Sequence, residues 1–458
     1  MGEQPEQTGQ PEQTGPPDPG QAERRGGGLA VGDEVEVDVT AIAHGGHCIA
    51  RHEGQVLFVR HTIPGERVLA RVTETGAGER FVRADAVAVL AASPDRVPPP
   101  CPFAGPGLCG GCDFQHVDLA RQRALKTDVV REQLHRLAHL DLDVEVEPVP
   151  GDADGLDWRT RVEFAVDAQG RAGLRRHRSH EVVAVDHCRI AAPGVDRLRI
   201  TERLWPGVEA VDAVAPSVGE PLAIALPLDQ GAEVPVVHER VDATWSGPDG
   251  DWQLITGELA ASARGFWQVH PGAARTFVEA VMTAADVRVG ERALDLYAGV
   301  GLFAVALAHA VGTSGQVVAI ESDAGAAGHA RDNLADQPNA AVLTARVDDA
   351  FGVARPSRRG TAKQRGSRPR KPSRSTLVPT AADVVVLDPP RTGAGRGVCT
   401  EIAALRPRVV VYVACDPAAL ARDTAYLADL GYRPAGLRAF DAFPMTHHVE
   451  CVASFEPA

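Results

Sequence analysis

Lysine is almost missing from this chain: of 47 basic residues among 458, only Lys126, Lys363 and Lys371 are lysine. Beside abundant Ala, Gly and Val, the bias reads as the codon preference of a GC-rich genome, so arginine richness by itself identifies no ligand. Also missing is any apolar run near the roughly 20 residues that cross a bilayer. Residues 1–28, rich in Gln, Pro, Glu and Gly, contain no apolar stretch of the kind a secretory signal needs. These absences speak against a helical membrane anchor and against secretion, and a cytoplasmic chain is expected. Without an oxidising compartment, the eight cysteines are read as metal ligands or catalytic groups rather than disulfides. A net charge of −14 opposes a uniformly basic nucleic-acid binder, although binding needs only a local basic surface.

At 44% hydrophobic, the chain is long enough for two or three full cores. Residues 1–28 are expected to be a disordered tail. Over 29–92, short alternating strands near 34–39, 55–59, 67–72 and 83–89, divided by Gly and Pro, predict a small OB-like barrel. Residues 93–262 are expected to form a central α+β domain. Pro98-Pro-Pro-Cys101 opens its cysteine-bearing segment, a helix follows over about 118–139, and strands return from about 144 to 235. Over 263–458, apolar strands at 292–296, 316–320, 341–344, 383–387 and 409–413 alternate with helical patterns, which predicts a Rossmann-like doubly wound α/β domain. An insertion at 355–380 carries nine Lys or Arg and no acid between 355 and 375. It is expected to be a disordered loop that at most adds attraction to phosphates.

Asp295-Leu-Tyr-Ala-Gly299-Val-Gly301 follows the first strand of that domain and precedes a helix, so its glycines let the backbone approach a ligand at the sheet's carboxyl edge. The D-x-x-x-G-x-G form suits S-adenosylmethionine better than a dinucleotide, whose third small residue would be Ala304. Glu321 ends the next strand, where an acid accepts hydrogen bonds from ribose hydroxyls. Asp348 and Asp349 are candidates to face the adenine, or plain loop acids. Asp388-Pro-Pro-Arg391 closes the fourth strand, facing the sulfonium. Enzymes that methylate exocyclic amines carry an aromatic where Arg391 stands, so carbon is the expected target.

The C5 carbon of a pyrimidine is too weak a nucleophile to take a methyl group directly. A thiolate added at C6 makes C5 enolate-like, and a base then removes the C5 proton so that the thiol leaves. Cys415 is the candidate nucleophile. It follows a buried strand and precedes Asp416 as N-cap and Pro417 as first helical residue, a helix mouth expected to favour thiolate. Glu450, in Phe443-Pro-Met-Thr-His-His-Val-Glu450, is the candidate base, with a pKa raised by partial burial. His447 and His448 compete for that role or line the pocket. Alone, Cys415 would pass for a packed small hydrophobe and Glu450 for a surface strand carboxylate.

Cys101, Cys109 and Cys112 form C-x7-C-x2-C, and Cys188 joins them from farther along; four such thiols suit zinc or a 4Fe-4S cluster. Cys48, Cys399 and Cys451 read as core. Trp158-Arg-Thr-Arg161 and Leu174-Arg-Arg-His-Arg178 are candidates to stack bases and hold phosphates, or solvated strand faces.

From about Val31 to Phe455 the chain resembles the RNA uracil-5 methyltransferases. The likeness is carried by Gly265-Phe-Trp-Gln268-Val-His270, the Asp295 to Gly301 turn, Glu321 and Asp388-Pro-Pro-Arg391. It is carried further by Tyr412-Val-Ala-Cys415-Asp-Pro-Ala-Ala-Leu-Ala-Arg-Asp423 and the Phe443 to Glu450 block. The resemblance implies S-adenosylmethionine held by Gln268, Tyr297, Gly299, Gly301, Glu321 and Asp388, with Cys415 as nucleophile and Glu450 as proton acceptor. It implies a TRAM barrel, a 4Fe-4S cluster on Cys101, Cys109, Cys112 and Cys188, and 5-methyluridine formed in structured RNA, rRNA before tRNA. Leu302 departs from the pattern, standing where members often have Asn. A monomer is expected. The alternatives are an RNA-binding or assembly protein that has lost catalysis, and a methyltransferase of another substrate.

Overall fold

The computed structural model of the protein describes residues 28–76, 81–247, 252–353 and 374–458. The tail at 1–27 and most of the basic insertion lie outside the described residues. At the insertion's end, residues 374–380 are in place: Arg374 lies over the Phe351 ring and pairs with Glu401 at 3.3 Å, and Val378 is buried. The expected disorder therefore does not hold for 374–380, because these side chains have a core to join.

Five strands, β1 (Glu34–Ala43), β2 (His47–His52), β3 (Gln55–Arg60), β4 (Arg67–Thr75) and β5 (Val82–Ala91), close into a barrel in the order β1-β2-β3-β5-β4. Alternate residues such as Val37, Val39, Leu57, Val59, Val68 and Ala70 fill it, and closure leaves no exposed sheet edge. The cysteine-bearing segment then leads to helix α1 (Leu119–Ala138), whose first N–H groups are capped by the Asp118 carboxylate.

Strand β6 (Val146–Pro148) follows, then a sheet of β7 (Arg161–Val166), β8 (Ala172–Arg175), β9 (Val182–Ala184), β10 (Ala210–Val214) and β11 (Leu222–Leu226), with short helix α2 (Pro193–Asp196) between β9 and β10. A long hairpin comes next, β12 (Val236–Ser246) paired with β13 (Trp252–Ser262). It alternates buried and exposed along β12, a period-2 signal present in the sequence between the expected central strands and the last domain.

The last part alternates strand and helix: α3 (Ala273–Ala285), β14 (Arg292–Leu296), α4 (Leu302–Val311), β15 (Gln316–Glu321), α5 (Ala324–Asn333), β16 (Ala340–Thr344), α6 (Val347–Phe351), β17 (Val384–Leu387), α7 (Gly395–Ala404), β18 (Val409–Ala414), α8 (Pro417–Asp429), β19 (Tyr432–Asp441) and β20 (Glu450–Pro457). The sheet order is β16-β15-β14-β17-β18-β20-β19-β6. Strands β14 to β18 run parallel and β20 runs antiparallel between β18 and β19. Strands β17 and β18 are buried along their whole length, as expected where helices cover both faces.

The central segment is not self-contained. Its β6 extends the large sheet beside β19, and the hairpin lies on the helices of the last part. The Glu279 carboxylate of α3 accepts from Thr244 N at 3.1 Å, and Asn333 of α5 accepts from Ala260 N at 2.7 Å. No helix among the described residues is long and apolar enough to cross a membrane.

Candidate active site

Strands β14, β15, β17 and β18 are parallel, so their carboxyl ends open on one edge, the binding crevice of such sheets. After β14 the chain turns through three left-handed residues: Tyr297 (φ 64°), Gly299 (φ 55°) and Gly301 (φ 88°). A Cβ placed on Gly299 would meet nothing within 4 Å, so the turn is open toward the crevice. Glu321 is already oriented, its carboxylate accepting from Gly299 N at 2.9 Å and Asp323 N at 2.7 Å. Asp295 is fully buried, with the Ala304 N–H directed at its carboxylate. Burial, followed by the nearby Asp388 and Glu321 charges, holds its pKa well above the usual range. Asp388, after β17, is pushed up by burial to about 7.

The register that pairs Ala414 with Cys451 continues by one step to set Cys415 opposite Glu450. These two residues line one cavity of about 1090 Å³ together with Gln268, Tyr297, Gly299, Glu321 and Asp388. Gly301 does not face it; that residue is the N-cap of α4, behind the turn. Glu450 is 4% exposed, and burial, then Asp388, raise its pKa.

One expectation is overturned. Asp416 does cap the helix, accepting from Ala419 N at 2.7 Å, and Pro417 does begin it. Yet the Cys415 thiol is not favoured as thiolate: burial, then Glu450 and Asp388, push its pKa to about 12. The sequence showed the helix mouth but not the two carboxyls gathered beside the sulfur.

Of the two histidines weighed against Glu450, only His448 lines the cavity. Burial, then His447 and Arg391, lower its pKa to about 3, so its imidazole is neutral. His447 is tied to Asp113 outside the cavity, its Nδ1 2.5 Å from the carboxylate. Asp348 lines the cavity as well. Phe266 also lines the cavity, 75% exposed at the rim beside buried Trp267 and Gln268; its only signal in the sequence is an aromatic within Gly265 to His270.

Of the arginine clusters, Arg159 of the first lines the cavity, and the second forms the solvated strand face that was its alternative, its arginines exposed and paired. Trp158 is fully buried and stacks on His270, so it cannot meet a base. Arg161 is spent on Glu239 at 3.1 Å and the Gly265 carbonyl at 2.7 Å. Arg175, Arg176 and Arg178 pair with Glu163, Glu181 and Glu74, each at 2.8 Å.

Cys101, Cys109, Cys112 and Cys188 gather near one another. Burial raises Cys109, Cys112 and Cys188, the last to about 11, and the neighbouring thiols add to the rise. Among the described residues, however, no group of three or more His, Cys, Asp or Glu side chains stands where it could hold a metal ion. The expected metal-bearing centre is thus not shown among the described residues, although the donor set is of the right chemistry. Spacing brought the thiols together without fixing their distances.

Residues able to hold S-adenosylmethionine do fit it. An open glycine turn, a pre-oriented Glu321 and Asp388, with Asp295 buried behind them, make a crevice where a cation relieves charges that desolvation disfavours.

Comparison with known proteins agrees with this geometry. Residues 29–87 match the TRAM domain family and residues 262–456 the tRNA (Uracil-5-)-methyltransferase family. An uncharacterized RNA methyltransferase of Streptomyces avermitilis is 49% identical, covering 93% of this chain and 99% of its own. The 23S rRNA (uracil(1939)-C(5))-methyltransferase RlmD of Pseudomonas aeruginosa is 31% identical, covering 94% of this chain and 96% of its own. In fold, the chain is similar to the tRNA (uracil-54, C5)-methyltransferase of Pyrococcus abyssi solved with S-adenosyl-L-homocysteine. That structure has a TM-score of 0.60 at 22% identity, covering 92% of this chain and 99% of the other.

Proposed function

The chain belongs to the RNA uracil-5 methyltransferase family, and on that premise we propose that it forms 5-methyluridine in structured RNA, with ribosomal RNA as substrate before tRNA. The observation that carries the reading is one cavity that unites the cofactor turn with Cys415 and Glu450 side by side. A protein that only binds RNA needs neither a thiol nor a buried acid there.

Cys415 sulfur bonds to C6 of the uracil, and the C5–C6 π pair moves into an enolate spread over C5 and O4. S-adenosylmethionine, when bound, supplies the electrophilic methyl group that C5 takes. Gln268, Tyr297, Gly299, Glu321 and Asp388 hold and orient that donor, with Gly301 behind the turn starting the helix. Glu450 removes the C5 proton, C5=C6 re-forms, and the C6–S bond breaks to return the thiolate. Burial and the neighbouring acids disfavour the Cys415 thiolate, so its proton passes to solvent as the sulfur attacks, and positive charge beside Asp388 and Glu450 would favour that loss. Phe266 at the rim offers a stacking face to an unpaired base.

Preference for ribosomal RNA rests on the relative that acts on 23S rRNA. We further propose that Cys101, Cys109, Cys112 and Cys188 would hold a 4Fe-4S cluster, with zinc as the alternative; support comes from four thiols sharing one neighbourhood. Iron and sulfide analysis of anaerobically purified protein decides between them.

RNA containing 5-fluorouridine tests the mechanism, because fluorine at C5 cannot be removed as a proton and the adduct persists. Wild type is expected to yield a denaturant-stable protein–RNA adduct and Cys415→Ala none. An adduct formed by Cys415→Ala, or none by wild type, defeats the reading, and mapping the adducted nucleotide names the RNA.

A further inference from the structure

Lys126, the only lysine among the described residues, is buried on α1 with 1% of its side chain exposed, in a chain that otherwise uses arginine. Its Nζ donates to Asp441 Oδ1 at 2.5 Å and to the Phe443 carbonyl at 3.0 Å. Asp441 ends β19, is equally buried, and its second oxygen has no partner. Such a pair is a poor source of stability, because removing two charges from water offsets most of their attraction. Burial pulls the Lys126 pKa down against the opposing effect of Asp441.

What the pair does supply is geometry. One turn earlier on the same face of α1, Gln122 accepts from Met445 N at 2.8 Å and donates to the Phe114 and Val117 carbonyls. Met445 has φ 66°, a conformation that a non-glycine residue keeps only where its surroundings impose it. A third clasp comes from Asp113 and Phe114, whose N–H groups both donate to the Met445 carbonyl, while the Asp113 carboxylate holds His447. Residues 443–448 are thus shaped from outside, and they deliver Glu450 to the cavity.

We propose that Lys126, with Asp441 and Gln122, is a positioning residue that holds the 443–448 segment so that Glu450 reaches the target C5 proton beside Cys415; this rests on the reading of Glu450 as the base. With the clasp intact, proton removal follows methyl transfer and the sulfur is released. With the clasp loosened, the thiol still adds, C5 still takes its methyl group, and the methylated adduct lingers.

The full chain carrying Lys126→Met with Asp441→Leu removes both charges and orphans neither, and Gln122→Leu loosens the clasp without touching a charge. Glu450→Gln is the reference. Single-turnover reactions on uridine RNA are followed by denaturing gel for the covalent adduct and by mass spectrometry for its methyl content. Adduct formation is expected at the wild-type rate, with release slowed about 100-fold, the loss that a displacement near 1 Å brings. The methylated adduct then accumulates as in Glu450→Gln. Wild-type release in the folded variants, or an equal slowing of adduct formation, overturns the proposal while Glu450→Gln still traps the adduct and the base assignment stands. Failure of Glu450→Gln to trap it overturns both. Should the double variant not fold, Gln122→Leu alone decides.

Discussion

At Cys415 a helix N-terminus and a pair of buried acids act in opposite directions, and their magnitudes decide between them. A helix end is worth up to about 2 kcal/mol to a partly buried charge, about one and a half pKa units, and Asp416 already occupies part of its donor set. Burial moves a thiol by up to several units, and Glu450 and Asp388 add to it, giving about 12. Iodoacetamide labelling of Cys415, read on its own peptide by mass spectrometry, is therefore expected to keep rising past about pH 9, where an ordinary thiol has largely titrated. Glu450→Gln removes the nearest opposing charge and shifts the profile to lower pH. A profile already flat at about pH 8 would contradict this account of the thiol.

Among the elements, the exit of the Asp388 loop is held by one side chain of α8. Asp423 is buried and accepts from Tyr412 Oη at 2.7 Å, from Ala394 N at 2.7 Å and from Gly395 N at 3.2 Å, joining β18, the start of α7 and α8. It also leaves no room at Gly393 (φ 80°), where a Cβ would lie 2.7 Å from its oxygen. Asp423→Ala would orphan the buried Tyr412 hydroxyl at about 1–3 kcal/mol and take an acceptor from the part-buried Ala394 and Gly395 N–H groups at less each. A stability loss of roughly 3 kcal/mol is expected in urea unfolding, and a loss under about 1 kcal/mol would show that water replaces the carboxylate. Asp423 stood at the end of a motif quoted for Cys415; its role is visible only once α7 lies against α8.

Taken as a whole molecule, the barrel is seated on the catalytic end of the chain. Arg60 of β3 pairs with Asp113 at 3.5 Å, both largely buried, and His44 lies 3.2 Å from Asp416, the residue after Cys415. Gly46 packs so closely that a Cβ there would lie 2.8 Å from His447. Breaking a buried pair leaves an uncompensated charge, so Arg60→Ala is expected to destabilise by about 3 kcal/mol. Hydrogen exchange at residues 443–449 should quicken while β1 to β5 stay protected; unchanged exchange there would mean that the barrel is docked without supporting the site.

Much of this was legible in the sequence for a simple reason. Five apolar strands alternating with helices imply a parallel sheet, and a parallel sheet brings its carboxyl ends to one edge, so Gly299, Glu321, Asp388 and Cys415 had to converge. The order of strands and motifs along the chain settles which residues meet. Packing alone sets the state in which they meet and what holds them there: the Cys415 proton depends on burial among acids from separate strands, and Trp158 is lost to the core. Lys126 and Asp441 stand 315 residues apart in the chain. No local pattern relates side chains at that distance, and only the packing of α1 against the end of β19 makes them one device.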